Sequence, residues 1–438
     1  MSPPDYQKAR SDASSSDVLS SSYCAFVDSR PYLPNLHVEI SSARGASGAA
    51  NVSVARAAIS VVLASRAGGL NRANSALDDA NVERLVVSRV SGGITNSLYR
   101  VSGLAAFLKD VAGFAGNGVA SGKVIKDGEQ EEDSVLVRVF GAEGMIDRDV
   151  ETSTYAALCD AGIAGQYLGR FSNGRIEGWL DGYKTLSKHD FADPSISSAV
   201  AIQMARLHRT FVIPVHLQEY HNSEKPAMWM QLHSWMEQAK GYEGRFKTLT
   251  DNERAADLDL TRVAAELDHL EREVVPADAR VAFCHNDLLA ANVMSCPRTG
   301  VIQLIDFEYG GVNYVSFDIA NHFNEHAGGT DEEDNGVPDY GKFPTESRQE
   351  EFVRAYIGAA RADRKVDERN VVDGSEQEVQ SVLREVHAFV LANHLYWGLW
   401  AVNQAAIEGC EGFDYLTYAK NRFCEYYRVK EKFECELA

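Results

Sequence analysis

Apolar positions follow two regimes along the chain. From Val82 to about Leu180 they come in short β-rich bursts. VERLVVSRV and SLYRV read as two strands around the Gly-rich turn SGGITN. VLVRVFG, Val135 to Gly141, is β-branched enough for a buried strand, and DRDVETSTYAALCDAG has the spacing of a helix that stops at Gly162. After RIEGWLDG the spacing turns mostly helical to the C-terminus. Two strand-like segments studded with polar residues interrupt it, around residues 283 and 304.

Between the early strands, roughly Gly103 to Ser134, an apolar patch is mixed with GNG, GK and the run DGEQEED, the composition of a long surface loop. Residues 1–55 are rich in Ser, Ala and Gly and predict a disordered tail. Arg56 to Arg72 has the makings of a short helix, and no internal repeat is visible. The predicted class is α+β, with a tail (1–55), a small β-rich lobe (56–180) carrying the 103–134 loop, and a larger, mainly helical lobe (181–438).

Composition narrows the partners. Lys+Arg 43 against Asp+Glu 63 gives a formal net charge of -20, which repels phosphate backbones and anionic lipid, so nucleic acid is excluded as an expected partner. The seven cysteines are scattered, without a C-x-x-C, and read as reduced thiols. MSPPDYQKAR lacks the apolar run of a signal peptide, and no apolar stretch reaches the ~20 residues of a membrane span. The expectation is a cytoplasmic protein.

Chemistry concentrates in FCHNDLLAANVM, Phe283 to Met294, and VIQLIDFEYGGVNYVSFDIANHFNEHAGG, Val301 to Gly329. His285, Asp287 and Asn292 form H-x-D-x(4)-N, and Asp306 ends an apolar strand nineteen residues after Asp287. Two carboxylates and an Asn amide oxygen are hard ligands suited to Mg²⁺, with one Asp left as base for a substrate hydroxyl. That is a phosphoryl-transfer layout. Two other patterns compete. GNGVASGKV, Gly116 to Val124, imitates a phosphate-binding P-loop but has Asn117 for the first Gly and Val124 for the metal-binding Ser/Thr. HFNEH would set His322 and His326 on one helical face to hold Zn²⁺, as in a peptidase, but leaves both segments above unexplained. A non-catalytic kinase-like binding protein would need a damaged motif, and Asp287, Asn292 and Asp306 are intact.

GGITNSLYRV, LVRVFG, DRDVE, FCHNDLLAAN and IDFEYGGVNYVSFDIANHFNEHAG together resemble the choline/ethanolamine kinase family, from about Val82 to about Lys430. The resemblance implies a protein-kinase-like bilobal fold, ATP and Mg²⁺ as cofactors, and an amino alcohol, ethanolamine or choline, as the phosphate acceptor. A homodimer is left open. DRD before Glu151, FSNG at 171–174, HNDLL, NHFNE followed by Ala-Gly, and FDYLTYAKNRFCEYYRVK look closer to the ethanolamine branch, which implies the entry step of the CDP-ethanolamine route to phosphatidylethanolamine. After the Glu of NHFNE the choline branch carries Trp and the ethanolamine branch more usually Phe, where this chain has His326.

Residue by residue, the turn holding Gly92, Gly93, Thr95 and Asn96 can bring backbone N–H groups close to a triphosphate. Arg138, a charge on a buried strand, should face an anion, which the resemblance makes the ATP phosphates. Glu151 is placed for a Lys–Glu type of pairing, with Asp149 as a competitor. The resemblance makes Glu177 to Leu180 the hinge presenting backbone groups to adenine. His285 belongs to the catalytic loop, Asp287 is the base, and Asn292 and Asp306 hold metal. An ammonium calls for a carboxylate and aromatic faces, and the resemblance assigns these to Glu325, Tyr309, Trp397, Trp400 and Tyr418. His326 adds a candidate acceptor for a primary amine, whose three N–H donors demand partners.

Overall fold

The structure is a computed structural model that describes residues 30–39, 47–65, 82–90, 96–110, 133–141, 147–222, 224–331, 333–361 and 375–437. The chain folds into two compact units. One comprises the described residues up to Tyr183 with Pro214–Leu217, the other Lys184–Ile213 with the described residues from Gln218 onward.

The first unit is a six-stranded sheet in the order β1-β5-β6-β4-β3-β2. Its strands are β1 (Tyr32–Leu33), β2 (Val86–Val90), β3 (Asn96–Ser102), β4 (Ser134–Phe140), β5 (Tyr167–Phe171) and β6 (Gly174–Gly178). All pairings are antiparallel except the short β1–β5 pair. Helices α1 (Ser47–Ala64), α2 (Leu104–Asp110) and α3 (Arg148–Asp160) complete the unit.

Two expectations are corrected here. The tail does not extend to residue 55: β1 pairs with the sheet, and α1 begins at Ser47. Val54, Ala57, Ala58, Ile59, Val61, Val62 and Leu63 of α1 are wholly buried. Ala is the best helix former, and a helix apolar on all sides belongs inside a core, so small-residue composition misled the reading of disorder. Gly169 permits this packing, because at φ +148 a Cβ there would lie 2.7 Å from the Pro31 carbonyl oxygen and 2.8 Å from Val61. The proposed 103–134 loop likewise starts with a helix. Asp133 accepts from the Gly103 and Ala105 amides (3.1 and 2.9 Å), and Leu104, Phe107 and Leu108 are buried. Residues 111–132 of that loop lie outside the described residues, as do 1–29 of the expected tail.

The second unit is mainly helical. Its helices are α4 (Pro194–Thr210), α5 (Ala227–Gly241), α6 (Leu249–Ala256), α7 (Leu260–His269), α8 (Val315–Glu325), α9 (Glu346–Arg361), α10 (Glu376–Glu408) and α11 (Tyr415–Leu437). The 33-residue α10 is the spine, packing on α5, α8, α9 and α11. Its close approach to α11 depends on Gly398, where a Cβ would meet the Phe423 ring at 2.3 Å. The strand-like segments expected near 283 and 304 are β8 (Val281–Cys284), β9 (Val293–Ser295), β10 (Ile302–Leu304) and β11 (Gly311–Tyr314), with β7 (Lys184–Thr185) alongside β9. β8 pairs with β11 and β9 with β10, both antiparallel, and these two short ladders carry the polar loops. All eleven residues of α8 are buried, six of them polar. Such a helix needs internal partners for its polar groups.

No helix among the described residues is long and apolar enough to cross a membrane.

Candidate active site

In the helical unit the β8–β11 ladder delivers the loop that starts at His285. Asp318 of α8 pins this loop. Its Oδ2 accepts from the His285 amide (2.9 Å), its Oδ1 from the Asn286 amide (2.7 Å), and His208 Nε2 lies 2.9 Å from Oδ2. Burial alone would raise the Asp318 pKa, but the His208 hydrogen bond and charge and the loop amides hold it below the usual range.

Asn286 is left-handed at φ 66, an uncommon conformation for a residue with a Cβ, and its side chain is clamped to match. Its Nδ2 donates to the Tyr309 carbonyl (2.9 Å) and its Oδ1 accepts from Asn313 (2.8 Å). The His285 ring is wholly buried, lowered in pKa chiefly by that burial, and donates from Nε2 to the Ile305 carbonyl at 2.8 Å. His285, expected in the catalytic loop, ties that loop to the end of β10 through this bond.

Asp287 follows, accepting from Asn292 Nδ2 at Oδ2 (3.1 Å) while its carbonyl takes the same nitrogen (2.8 Å). With that nitrogen committed, the Asn292 amide oxygen is the atom of this side chain that could hold a cation. The Ile305 amide donates to the Asn292 carbonyl (3.0 Å), which brings Asp306 beside Asn292, and Asp306 is also left-handed at φ 62. Burial raises the Asp287 pKa well above the carboxylate range, and the negative charges of Glu325, Glu308 and Asp306 raise it further. Four carboxylates thus share one neighbourhood.

Aromatic rings line the adjoining wall. Tyr309 meets Trp397 edge-on at 5.6 Å between centroids, Trp397 meets Trp400 at 5.5 Å, and Trp400 meets Tyr415 at 5.6 Å. Trp397 is fixed by its indole N–H to Asn321 Oδ1 (2.6 Å). Tyr418 is buried, with the Arg422 guanidinium 5.4 Å from its ring centre. Arg422 also lies 3.8 Å from Glu325, whose pKa burial raises and Arg422 partly restores. The charge of Asp287 reaches Tyr309, Tyr396 and Tyr418 alike. Glu325, Tyr309, Trp397, Trp400 and Tyr418 are therefore gathered around Asp287.

His326 does not join them. Its ring packs 5.2 Å from Phe191 and 5.3 Å from His322, and burial lowers its pKa to about 3. His322 in turn stacks on Phe352 at 5.1 Å, also lowered by burial, to about 4. The HFNEH pattern is aromatic packing, which corrects the zinc reading. Among the described residues, ligand-type atoms cluster instead at His208, Cys284 and Asp318, within 4.8 Å of one another, where both Asp318 oxygens already serve the loop. A cavity of about 530 Å³ lined by Phe343, Gln349, His387 and Arg428 contains none of the expected site residues, so its volume does not locate the chemistry.

The sheet unit holds a buried chain of alternating charges. Arg138 Nε pairs with Glu177 (2.8 Å), Glu177 with Arg175 Nε (2.7 Å), Arg175 Nη1 with Glu151 (2.8 Å) and Glu151 with Arg148 (2.7 Å). Burial opposes ionisation of Glu177, but the charges of Arg138 and Arg175 outweigh it and bring the pKa down to about 2. Glu177 sits near the end of β6, its side chain a buried ion-pair partner, which leaves the backbone of Glu177 to Leu180 as the part expected at the hinge. The Arg138–Glu151 relation runs through Glu177 and Arg175, while Asp149 pairs at the surface with Arg170 (2.9 Å). Among the described residues, Glu177 and Glu151 thus link three guanidiniums, those of Arg138, Arg175 and Arg148. Asn96 is buried at the start of β3, and Gly92, Gly93 and Thr95 lie outside the described residues.

Sequence reading missed Asp318, Arg175 and Arg422. Signals existed for two: Arg175 and Glu177 alternate on one strand face, and Arg422 falls on the Tyr415, Tyr418, Ala419, Tyr426 stripe of α11.

Comparison with known proteins identifies the family. The model of the choline/ethanolamine kinase family matches residues 87–427. A probable ethanolamine kinase of Arabidopsis thaliana is 32% identical over 353 residues, 78% of this chain and 79% of that one. A probable choline kinase 2 of the same plant is 33% identical over 300 residues, 68% of this chain and 78% of that one. Among solved structures, an ethanolamine kinase of Plasmodium vivax superposes with a TM-score of 0.63 at 22% identity, covering 81% of this chain and 86% of that one, which supports the protein-kinase-like fold. With its family model spanning both units and the loop of Asp287, Asn292 and Asp306 in place, the chain belongs to the choline/ethanolamine kinase family and is a kinase that uses ATP.

Proposed function

We propose that this kinase phosphorylates ethanolamine with MgATP, giving phosphoethanolamine and ADP. The observation that carries the reading is that a buried carboxylate, Glu325, and the Tyr309–Trp397–Trp400 wall both stand in the neighbourhood of Asp287. Among neighbouring charges, Glu325 is the one that raises the Asp287 pKa most. Two carboxylates within reach of each other's charge, one on the loop and one on α8, suit the two ends of a short amino alcohol. Asp287 orients the hydroxyl and accepts its proton as the oxygen–phosphorus bond forms and the bond to the ADP oxygen breaks. Glu325 and the Tyr309–Trp397–Trp400 wall receive the ammonium.

A divalent cation fits the donor set: the Asn292 oxygen and the Asp306 carboxylate are hard ligands, in a place where crowded negative charge already raises Asp287. Bound there, Mg²⁺ would neutralise charge on the transferring phosphates. In the sheet unit, the Arg138 guanidinium on β4 is the group suited to the nucleotide phosphates, and the glycine-containing sequence Gly92, Gly93, Thr95 and Asn96 is the candidate backbone contribution.

A primary ammonium carries three N–H donors that need acceptors, which favours ethanolamine at a carboxylate such as Glu325. Choline is the second reading, because the aromatic wall also suits a quaternary head and a relative named choline kinase is equally similar. A coupled assay of ADP release with each amine decides. kcat/KM for ethanolamine should exceed that for choline by at least ~10-fold, about 1.4 kcal/mol of transition-state discrimination. Equal values would overturn the ethanolamine preference and leave the kinase standing.

A further inference from the structure

A buried polar ladder joins α8, α10 and α11 behind the ammonium site. Asn321 Oδ1 accepts from Trp397 Nε1 (2.6 Å) and Asn393 Nδ2 (2.8 Å). Asn393 Oδ1 accepts from Asn324 Nδ2 (2.8 Å) and from Arg422 Nη2 (2.9 Å). Asn321, Asn324, Asn393 and Arg422 are all fully buried.

The same Arg422 Nη2 stands 3.8 Å from Glu325 Oε1, beyond hydrogen-bond reach. That separation calls for a cause. A guanidinium matches a carboxylate in a two-bond fork, and attraction between opposite charges is strongest where water is excluded. Arg422 also has donors to spare, since its Nε and Nη1 make no hydrogen bond of good geometry, although the Tyr340 hydroxyl acts on its charge. Left alone, the pair would close. The competing acceptor on Arg422 is Asn393 Oδ1, held in place by its own donation to Asn321 and by the Asn324 amide.

We propose that Asn393 is a positioning residue that holds Arg422 off Glu325 and so keeps that carboxylate open for the substrate's ammonium. The proposal rests on the reading of Glu325 as the ammonium acceptor. Without the Asn393 oxygen, Arg422 swings onto Glu325 and the amine must displace an internal cation. A primary ammonium, which depends on directed N–H bonds, loses more than a quaternary one caged by Trp397 and Trp400. An Asn is suited to this place because its amide holds Arg422 with its oxygen while its nitrogen donates to Asn321.

The test is a double-mutant cycle in the full chain, using Asn393→Leu, Arg422→Met and the pair, with initial rates for both amines. Asn393→Leu should raise KM for ethanolamine ~10-fold, raise KM for choline less than ~3-fold, and change kcat and KM for ATP by less than ~2-fold. In the Arg422→Met background the same substitution should leave KM for the amine unchanged. The cycle is read on whichever amine the wild-type enzyme turns over faster, so failure of the ethanolamine assignment is separate from failure of this one. Additive effects on KM, or equal losses in kcat and in KM for ATP, would overturn the proposal. Asn393→Asp keeps the acceptor for Arg422, although it gives up the donation to Asn321, and so guards against a misfolded leucine variant. Its KM for the amine should rise clearly less than that of Asn393→Leu, and an equal rise would also overturn the proposal.

Discussion

Replacing Asp318 by Asn tests whether the catalytic loop is held from α8. The carboxylate accepts three hydrogen bonds, from the His285 amide, the Asn286 amide and His208 Nε2, all buried. An amide keeps one oxygen, enough for Asn286, and puts an NH₂ where Oδ2 was. His208 can adapt, because its other tautomer would accept from that NH₂ and donate from Nδ1 to the Tyr356 hydroxyl 2.9 Å away. The His285 amide cannot adapt. It is left facing another donor, at about 1–3 kcal/mol for a buried unsatisfied group, and the remaining bond to Asn286 loses its charge assistance at about 1 kcal/mol more. The sum is about 2–4 kcal/mol of folding stability, read from urea unfolding. Activity should suffer separately. Asn286 needs its left-handed turn to aim Asp287, and a misplacement near 1 Å costs roughly 10²-fold in kcat. His208→Gln, whose amide still donates to Asp318, should retain most of the activity. If Asp318→Asn turned over within about 2-fold of wild type per folded molecule, the loop would be held by something else.

Asp287→Asn should lower kcat by on the order of 10²-fold with KM for ATP little changed, yet stabilise the ligand-free enzyme by about 1–2 kcal/mol, because it removes a charge that Glu325, Glu308 and Asp306 repel. A destabilised, ligand-free variant would contradict the like-charge account. Glu177→Gln should cost about 3–5 kcal/mol, since it leaves Arg138 and Arg175 short of a buried counter-charge. Because the folded pKa of Glu177 is depressed from 4.5 to about 2, its contribution is present above pH 4.5 and lost as pH falls toward 2. The variant's stability should therefore depend less steeply on pH in that window, as followed by denaturant midpoints.

How far the sequence exposed this site depends on how far each partner sits along the chain. The grouping of Asp287, Asn292 and Asp306 was legible because the proposed phosphoryl transfer calls for those residue types at one short spacing, and the β9–β10 ladder turns that spacing into proximity. The strands β2 to β4 and the helix after Asp147 were legible from periodicity, within a few residues. The Arg175–Glu151 pair was not, because its members are 24 positions apart and meet only once β6 lies beside β4 and α3 packs nearby. Residue type alone gave Glu151 an arginine partner and chose the wrong arginine. His322 and His326 failed the opposite way, since local spacing suggested a metal while Phe191 from residues far upstream supplied the partner.

Asp318 shows why burial decides such cases. In SFDIANHF it resembles any acid near a helix start, where it would satisfy free amides of its own helix. Here those bonds go instead to amides 32 and 33 residues away, in the loop that carries Asp287. An exposed Asp could leave that loop to water. A fully buried one has to find donors, and the amides of His285 and Asn286 answer that need. The same requirement that keeps α8 from burying an unpaired charge thereby fixes the backbone that aims Asp287.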